Sequence, residues 1–238
     1  MPDPVATPPA ASVPVRVWDL PTRLFHWLLA LAVVGSIVTA EVGGNAMVWH
    51  FRLGYVVLAL LAFRLLWGLC GGRWSRFASF VPTPARLLRY LRGRPAPGEH
   101  LDVGHSPLGA LAVWALLGLL LAQLATGLVA DDEIAFRGPL NAWVAVDTVR
   151  AATSFHEGWG RTLVIALLVL HVVAIVAYRL RGRDLLGPML HGDKPLAADV
   201  PAAADVPAAA DNARTRLLAG VLAAGCAGLA LWVASLGG

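Results

Sequence analysis

Apolar positions along the chain gather into five long runs. The first is Leu24 to Ala40, held between Arg23 and Glu41. The second extends from about Ala46 to Cys70 and is interrupted by Arg52 and Arg64. The third, Val103 to Ala130, has 28 uncharged residues. The fourth covers about Phe155 to Tyr178 with Arg161 inside it, and the fifth, Leu217 to Gly238, has 22 residues. A helix of about 20 residues, rising 1.5 Å per residue, crosses a hydrocarbon core of about 30 Å. The pattern predicts five transmembrane helices.

Two stretches break the pattern. Residues 1–15 contain five prolines and no apolar segment, which reads as a floppy tail and not a signal peptide. Asp199 to Asp211 reads DVPAAADVPAAAD, a six-residue repeat with Pro201 and Pro207 and no large apolar side chain. It is expected to be a flexible linker. The expected organisation is a tail (1–15), a four-helix membrane domain (16–194), a linker (195–213) and a C-terminal transmembrane helix (214–238).

Composition narrows the class. Hydrophobic residues make up 58% of the chain and charged residues 14%. That is too little polar surface for a soluble enzyme or a disordered chain. The net charge of +4 would raise nucleic acid as a partner in a soluble protein. Here the basic residues sit between apolar runs and report topology instead, so no nucleic acid is expected. Fourteen basic residues flank the first helix or fill the loops between helices two and three and between four and five. Only Arg137 and Arg150 lie in the opposite loops, beside Asp131, Asp132, Glu133 and Asp147. The asymmetry predicts a cytoplasmic N-terminus and an external C-terminus. Cys70 and Cys226 form no CxxC or CxxCH motif, which argues against zinc, a cysteine-ligated cluster or covalent haem; they read as buried apolar thiols.

The candidate chemistry lies in histidines. Four of the seven, His26, His50, His156 and His171, are in apolar helices or at their ends. An ionisable side chain in a membrane is costly and points to function. Depth pairs them. His26 lies near the cytoplasmic end of helix one and His50 near the outer end of helix two. His156 lies at the outer end of helix four, with His171 15 residues, about 22 Å, further in. Two level pairs result: His50 with His156, and His26 with His171. Imidazoles facing across a bundle at one depth suit bis-histidine haem ligation, which fills both axial positions and favours electron transfer over substrate binding.

Gly54 and Gly160 follow His50 and His156 by one turn, and Ala30 follows His26. They leave room for a flat ring or allow close helix packing. Arg52, Arg64 and Arg161 are candidates to pair with haem propionates or to snorkel to the interface; Arg52 and Arg161 lie nearer the outer pair. Trp18, Trp27, Trp49, Trp67, Trp74 and Trp159 fit interfacial belts.

Four stretches, VWDLPTRLFHW (17–27), WHFRLGY (49–55), GHSPLGALAVW (104–114) and FHEGWG…LHVVAIVAYRLRGRDLLGPMLHG (155–192), resemble the bacterial di-haem cytochrome b561 family. That family also covers the b-type cytochrome subunits of nickel–iron hydrogenases. The resemblance implies two non-covalent haem b groups on the four histidines, and a location in the bacterial inner membrane. It also implies transfer of electrons between the quinone pool (ubiquinone or menaquinone) and a periplasmic c-type cytochrome or hydrogenase-like subunit, as in a respiratory chain. An enzymatic member would be a quinone-linked oxidoreductase, and superoxide oxidation coupled to ubiquinone reduction is the alternative within the family. A non-redox scaffold or transporter is the alternative outside it. The family commonly spaces its helix-four histidines by 14 residues, against 15 here, an offset that a local bulge or tilt absorbs. His105 belongs to the helix-three motif and is expected at the cytoplasmic surface, with quinone contact or capping as its role. His100 and His191 are expected in exposed loops.

Overall fold

The computed structural model describes residues 12–94, 96, 99, 101, 103–197 and 206–237. It is an all-α membrane architecture with a two-stranded clasp. Five helical spans are long and apolar enough to cross a bilayer: Leu20–Val42, Gly44–Cys70, Pro107–Gly127, Val146–Leu180 and Ala213–Ser235. The ordered elements are β1 (Ser12–Arg16), α1 (Leu20–Val42), α2 (Met47–Cys70), α3 (Pro84–Leu91), α4 (Pro107–Gly127), α5 (Val146–Phe155), α6 (Arg161–Leu180), α7 (Leu186–His191), β2 (Asp193–Ala197) and α8 (Ala213–Ser235).

Local chemistry sets the helix ends. Asp19 caps α1 by accepting from the Thr22 N–H at 2.8 Å, and Pro21 opens the first turn. Ser106 caps α4 in the same way, through Gly109, ahead of Pro107. That places the start of the third span at 107, within the predicted run from 103. Gly43 and Gly44 have φ of +66° and +53°, which lets α1 reverse into α2 across one short turn. The fourth span is longer than its apolar run. It begins at Val146, and α5 leads into α6 through a π-turn at His156–Gly160.

Helices α1 and α2 form the closest pair, α4 packs on α6, and α8 lies along α2. The central core joins Ala32, Val33, Val57, Leu61, Leu117, Leu120 and Val164 from α1, α2, α4 and α6. A second cluster, Phe25, Phe63, Trp67, Ala219 and Cys226, fastens α8 to the α1/α2 pair.

Two segments expected to be loose are ordered where they are described. Residues 12–16 pair antiparallel with Asp193–Ala197, Val15 facing Lys194, so the tail ends in a strand. The expected linker is docked over 206–212. Val206 and Ala209 pack with Val15, Val17, Trp18, Trp74 and Val103, and the Ala209 N–H donates to the Arg16 carbonyl at 2.7 Å. Asp211 pairs with Arg16 and Arg216. Small alanines fit against tryptophan faces, and a carboxylate among arginines fixes the register. Residues 1–11 and 198–205 lie outside the described residues. Of the expected belt tryptophans, Trp49 and Trp159 are exposed, but Trp18 and Trp74 are buried in this packing and Trp67 in the cluster beneath α8. Cys226 is buried, whereas Cys70 is exposed at the end of α2.

Candidate functional site

The four histidines of the apolar helices meet as two pairs at two levels. One pair lies toward the end of the bundle that carries Asp131, Asp132 and Glu133, the acidic end. The other lies toward the end that carries α3 and the clasp, the arginine-rich end. The ring centres of His50 and His156 are 6.0 Å apart, and those of His26 and His171 are 6.4 Å apart.

At the acidic end the rings are aimed by backbone carbonyls. His50 Nδ1 is 2.9 Å from the Ser36 carbonyl of α1, and His156 Nδ1 is 2.9 Å from the Gln123 carbonyl of α4. A carbonyl makes Nδ1 the protonated nitrogen and leaves Nε2 with a free lone pair. The Gln123 amide also donates to the His156 carbonyl at 2.8 Å, so one residue holds His156 at two points. Gly127 closes the site from the same helix: a Cβ there would stand 2.6 Å from His156 Cε1.

The π-turn carries the register. Fifteen α-helical steps rotate by about 60° beyond four turns; taking one residue out through a π-turn leaves about −40°. The bulge expected from the 15-residue spacing lies at His156–Gly160, with Gly158 at φ −96° and ψ −105°.

At the arginine-rich end the surroundings differ. His26 Nδ1 is buried with no partner among the described residues. Arg64 is buried on α2 beneath the rings of Phe77, Phe25 and Phe80. His105, expected at the surface, is instead half-buried between Trp18 and Phe80, with ring centres 4.7 and 4.3 Å away. Burial, with Arg64 and His26 adding to it, pushes its imidazole down to about 3, so it is neutral at physiological pH. Asp19 is also buried. Its carboxylate accepts from Thr22 N, Trp67 Nε1, Gly72 N and Ser75 Oγ, tying the start of α1 to the end of α2.

The remaining candidates divide. Gly54 has no atom within 4 Å of an added Cβ, so open space lies beside His50. Gly160 is different: its missing side chain makes room for Gln123 Oε1 and Phe155, which is helix packing. Arg161 reaches Glu41 at 3.0 Å on the exposed surface and is spent on that ion pair. Arg52 lies exposed over the Trp49 ring at 4.8 Å. The buried arginine is Arg64, because α2 turns that position inward while Arg52 faces out. His191 is exposed, as expected, and His100 lies outside the described residues.

Sequence reasoning passed over Ser36, Gln123, Gly127 and Asp19. Gln123 had a signal: it is a lone amide in the run LLLAQLATG, where lipid cannot satisfy it. Ser36 acts through its carbonyl, which no side-chain pattern reveals.

The donor set fits an iron porphyrin. Two metal–nitrogen bonds of about 2 Å and two ring half-widths of about 1 Å place trans imidazole centres about 6 Å apart. Both pairs have that separation, and the open space at Gly54 leaves room for a flat group.

Comparison with known proteins places the chain in a family. Residues 17–192 match the prokaryotic cytochrome b561 family profile. A probable Ni/Fe-hydrogenase 1 B-type cytochrome subunit of Escherichia coli is 26% identical, over 49% of this chain and 60% of that one. The probable Ni/Fe-hydrogenase B-type cytochrome subunit of Cupriavidus necator is 26% identical over 71% of this chain and 81% of its own. That of Bradyrhizobium diazoefficiens is 22% identical over 76% and 85%. The chain thus spans about three fifths of the Escherichia coli relative it matches. No solved structure matches.

Proposed function

Since the chain belongs to the prokaryotic cytochrome b561 family, we propose that it is a multi-pass inner-membrane electron carrier holding two haem b groups, one on His50 and His156 and one on His26 and His171. The observation that carries this is the pair of facing imidazoles at each of two levels, 6.0 and 6.4 Å between centres. Each group, held by its two histidines, would supply one-electron iron chemistry.

The chain's own share is to hold, orient and insulate. Ser36 and Gln123 fix the His50 and His156 tautomers. Leu61, Leu117, Leu120 and Val33 separate the two levels and exclude water between them. The α1–α2 and α4–α6 pairs keep the rings a fixed distance apart, so little reorganisation accompanies a change of charge.

The partners we infer are the quinone pool, as ubiquinone or menaquinone, and a periplasmic redox protein. The names of the relatives favour a hydrogenase-like subunit over a c-type cytochrome. The arginine-rich loops favour a cytoplasmic N-terminus and a periplasmic C-terminus. Superoxide oxidation gains no support. It calls for a basic funnel at the acidic end; Arg137, Arg150 and Arg161 there pair with Asp131, Asp147 and Glu41 respectively, which leaves Arg52, lying over the Trp49 ring.

The test is haem stoichiometry and the reduced visible spectrum of the purified chain. Two low-spin haems per chain are expected. His50→Ala or His156→Ala should remove one and leave the other, and His26→Ala or His171→Ala should do the converse. A colourless wild-type protein, or both haems surviving any one of these changes, overturns the assignment.

A further inference from the structure

Among the described residues, the buried side-chain atoms without a hydrogen-bond partner at the arginine-rich end include His26 Nδ1, Arg64 Nη1 and His105 Nδ1. Arg64 is the most demanding of them. It is only 4% exposed, six residues from the end of α2, as His26 is six from the start of α1. Its guanidinium carbon lies 4.6 Å from the Phe77 ring centre and 6.0 Å from those of Phe25 and Phe80. His105 stacks on the same Phe80 at 4.3 Å, so one ring joins the two residues.

Among the described residues no carboxylate bonds this cation, and Asp19 acts on it only through space. Asp19 is the buried carboxylate at this end, and both of its oxygens are taken: Oδ1 by Thr22 N and Trp67 Nε1, Oδ2 by Gly72 N and Ser75 Oγ. Arg64 has no hydrogen bond or ion pair among the described residues, and three aromatic faces offset only part of the cost of burying its charge. A folded chain that keeps such a group is shaped for an anion from outside. The occupant must carry a negative charge, must sit at the level of His26, and must reach a site closed by aromatic rings.

We propose that Arg64 and His105 together bind a carboxylate side arm of the haem held by His26 and His171. This rests on the two-haem reading above and extends it to residues that the sequence pattern ranked below Arg52 and Arg161. An iron porphyrin brings its own carboxylates to the level its axial ligands set. A quinone headgroup would bring only neutral carbonyls and leave the guanidinium uncompensated. Arginine supplies the charge-assisted bonds and His105, neutral, supplies one N–H. A cation paired beside the ring favours the reduced iron, so its loss lowers that haem's midpoint.

The experiment uses the full-length holoprotein in detergent with Arg64→Gln, Arg64→Lys and His105→Gln. Redox titration follows each haem, and resonance Raman follows the propionate bending bands. In Arg64→Gln the reduced-to-oxidised ratio of one haem at a fixed potential should fall about tenfold, which is 59 mV for one electron. Its propionate band should move, and the second haem should stay at its wild-type potential. Arg64→Lys should shift the same haem by less. If Arg64→Gln fails to accumulate, the Raman band of His105→Gln carries the test. Unchanged midpoints and bands in variants with two haems overturn the proposal. So does a change confined to the binding of a quinone analogue, which would mark a headgroup site. A wild-type protein without two bis-histidine haems fails the parent reading instead, and is seen before any variant is made.

Discussion

One methyl group placed at Gly127 tests whether His156 is held as tightly as the structure shows. A Cβ there would lie 2.6 Å from His156 Cε1, 3.0 Å from Nδ1 and 3.4 Å from Nε2. Ordinary contact begins near 3.4 Å, so the ring must retreat by several tenths of an ångström. It cannot do so freely. Its Nδ1 is bonded to the Gln123 carbonyl at 2.9 Å, and its own carbonyl accepts from the Gln123 side chain at 2.8 Å. Overpacking of this kind costs about 1–3 kcal/mol, and losing one hydrogen bond about 1 kcal/mol. At 1.4 kcal/mol per factor of ten, Gly127→Ala should weaken the acidic-end haem by about 5- to 1000-fold. The control is Gly118→Ala on the same helix, where an added Cβ meets nothing within 4 Å. The assay is haem per chain after expression with limiting haem precursor, with a redox titration of what remains. Gly127→Ala should approach one haem per chain and Gly118→Ala should keep two. Two haems with wild-type potentials in Gly127→Ala would refute the geometry.

Two further predictions concern the arginine-rich end. Asp19→Ala removes the α1 cap and strands the buried Gly72 N–H, while Trp67 and Ser75 keep Thr22 Oγ1 as a partner, so unfolding in mixed micelles should show a loss of about 2–4 kcal/mol; a change below about 1 kcal/mol contradicts the packing described. Glu99 is held down to about 2, first by its hydrogen bonds from Arg89, then by the Ala96 N–H and the nearby charges of Arg89 and Arg86. A depressed carboxylate contributes stability that is full above its unfolded value near 4.5 and lost as pH falls through about 2. Glu99→Gln should therefore speed hydrogen exchange in α3 at pH 7, and the difference from wild type should vanish as the pH is lowered through that window.

The five spans were legible because lipid demands long apolar runs, and composition carries that demand directly. The pairing of the histidines was legible too, because depth follows from counting residues along alternating helices. What escaped depends on direction around the helix. Arg52 and Arg64 are 12 residues apart in one apolar run, and hydropathy does not tell which of them points inward. Gly160 follows its histidine as Gly54 does, but α4 approaches closely at Gly160 and leaves Gly54 open. The repeat before α8 looked unable to pack because alanine buries little by itself. It packs because Trp18 and Trp74 supply the surface, and Trp74 Nε1 donates to the Pro207 carbonyl at 3.0 Å.

The two levels are built differently, and the difference predicts which haem takes electrons more readily. At the acidic end both histidines give Nδ1 to a backbone carbonyl, Ser36 for His50 and Gln123 for His156. Such bonds make an imidazole a stronger donor and favour the oxidised iron. At the arginine-rich end His26 Nδ1 has no partner among the described residues, and a buried guanidinium stands at its level. Both features favour the reduced iron there. Wild type should titrate in two waves, with the acidic-end haem at the lower midpoint. Electrons entering at the acidic face would then run downhill toward the arginine-rich face. His156→Ala should abolish the lower wave and leave the upper one near its wild-type position. If the upper wave is lost instead, the carbonyl bonds and the buried arginine do not set the order of potentials.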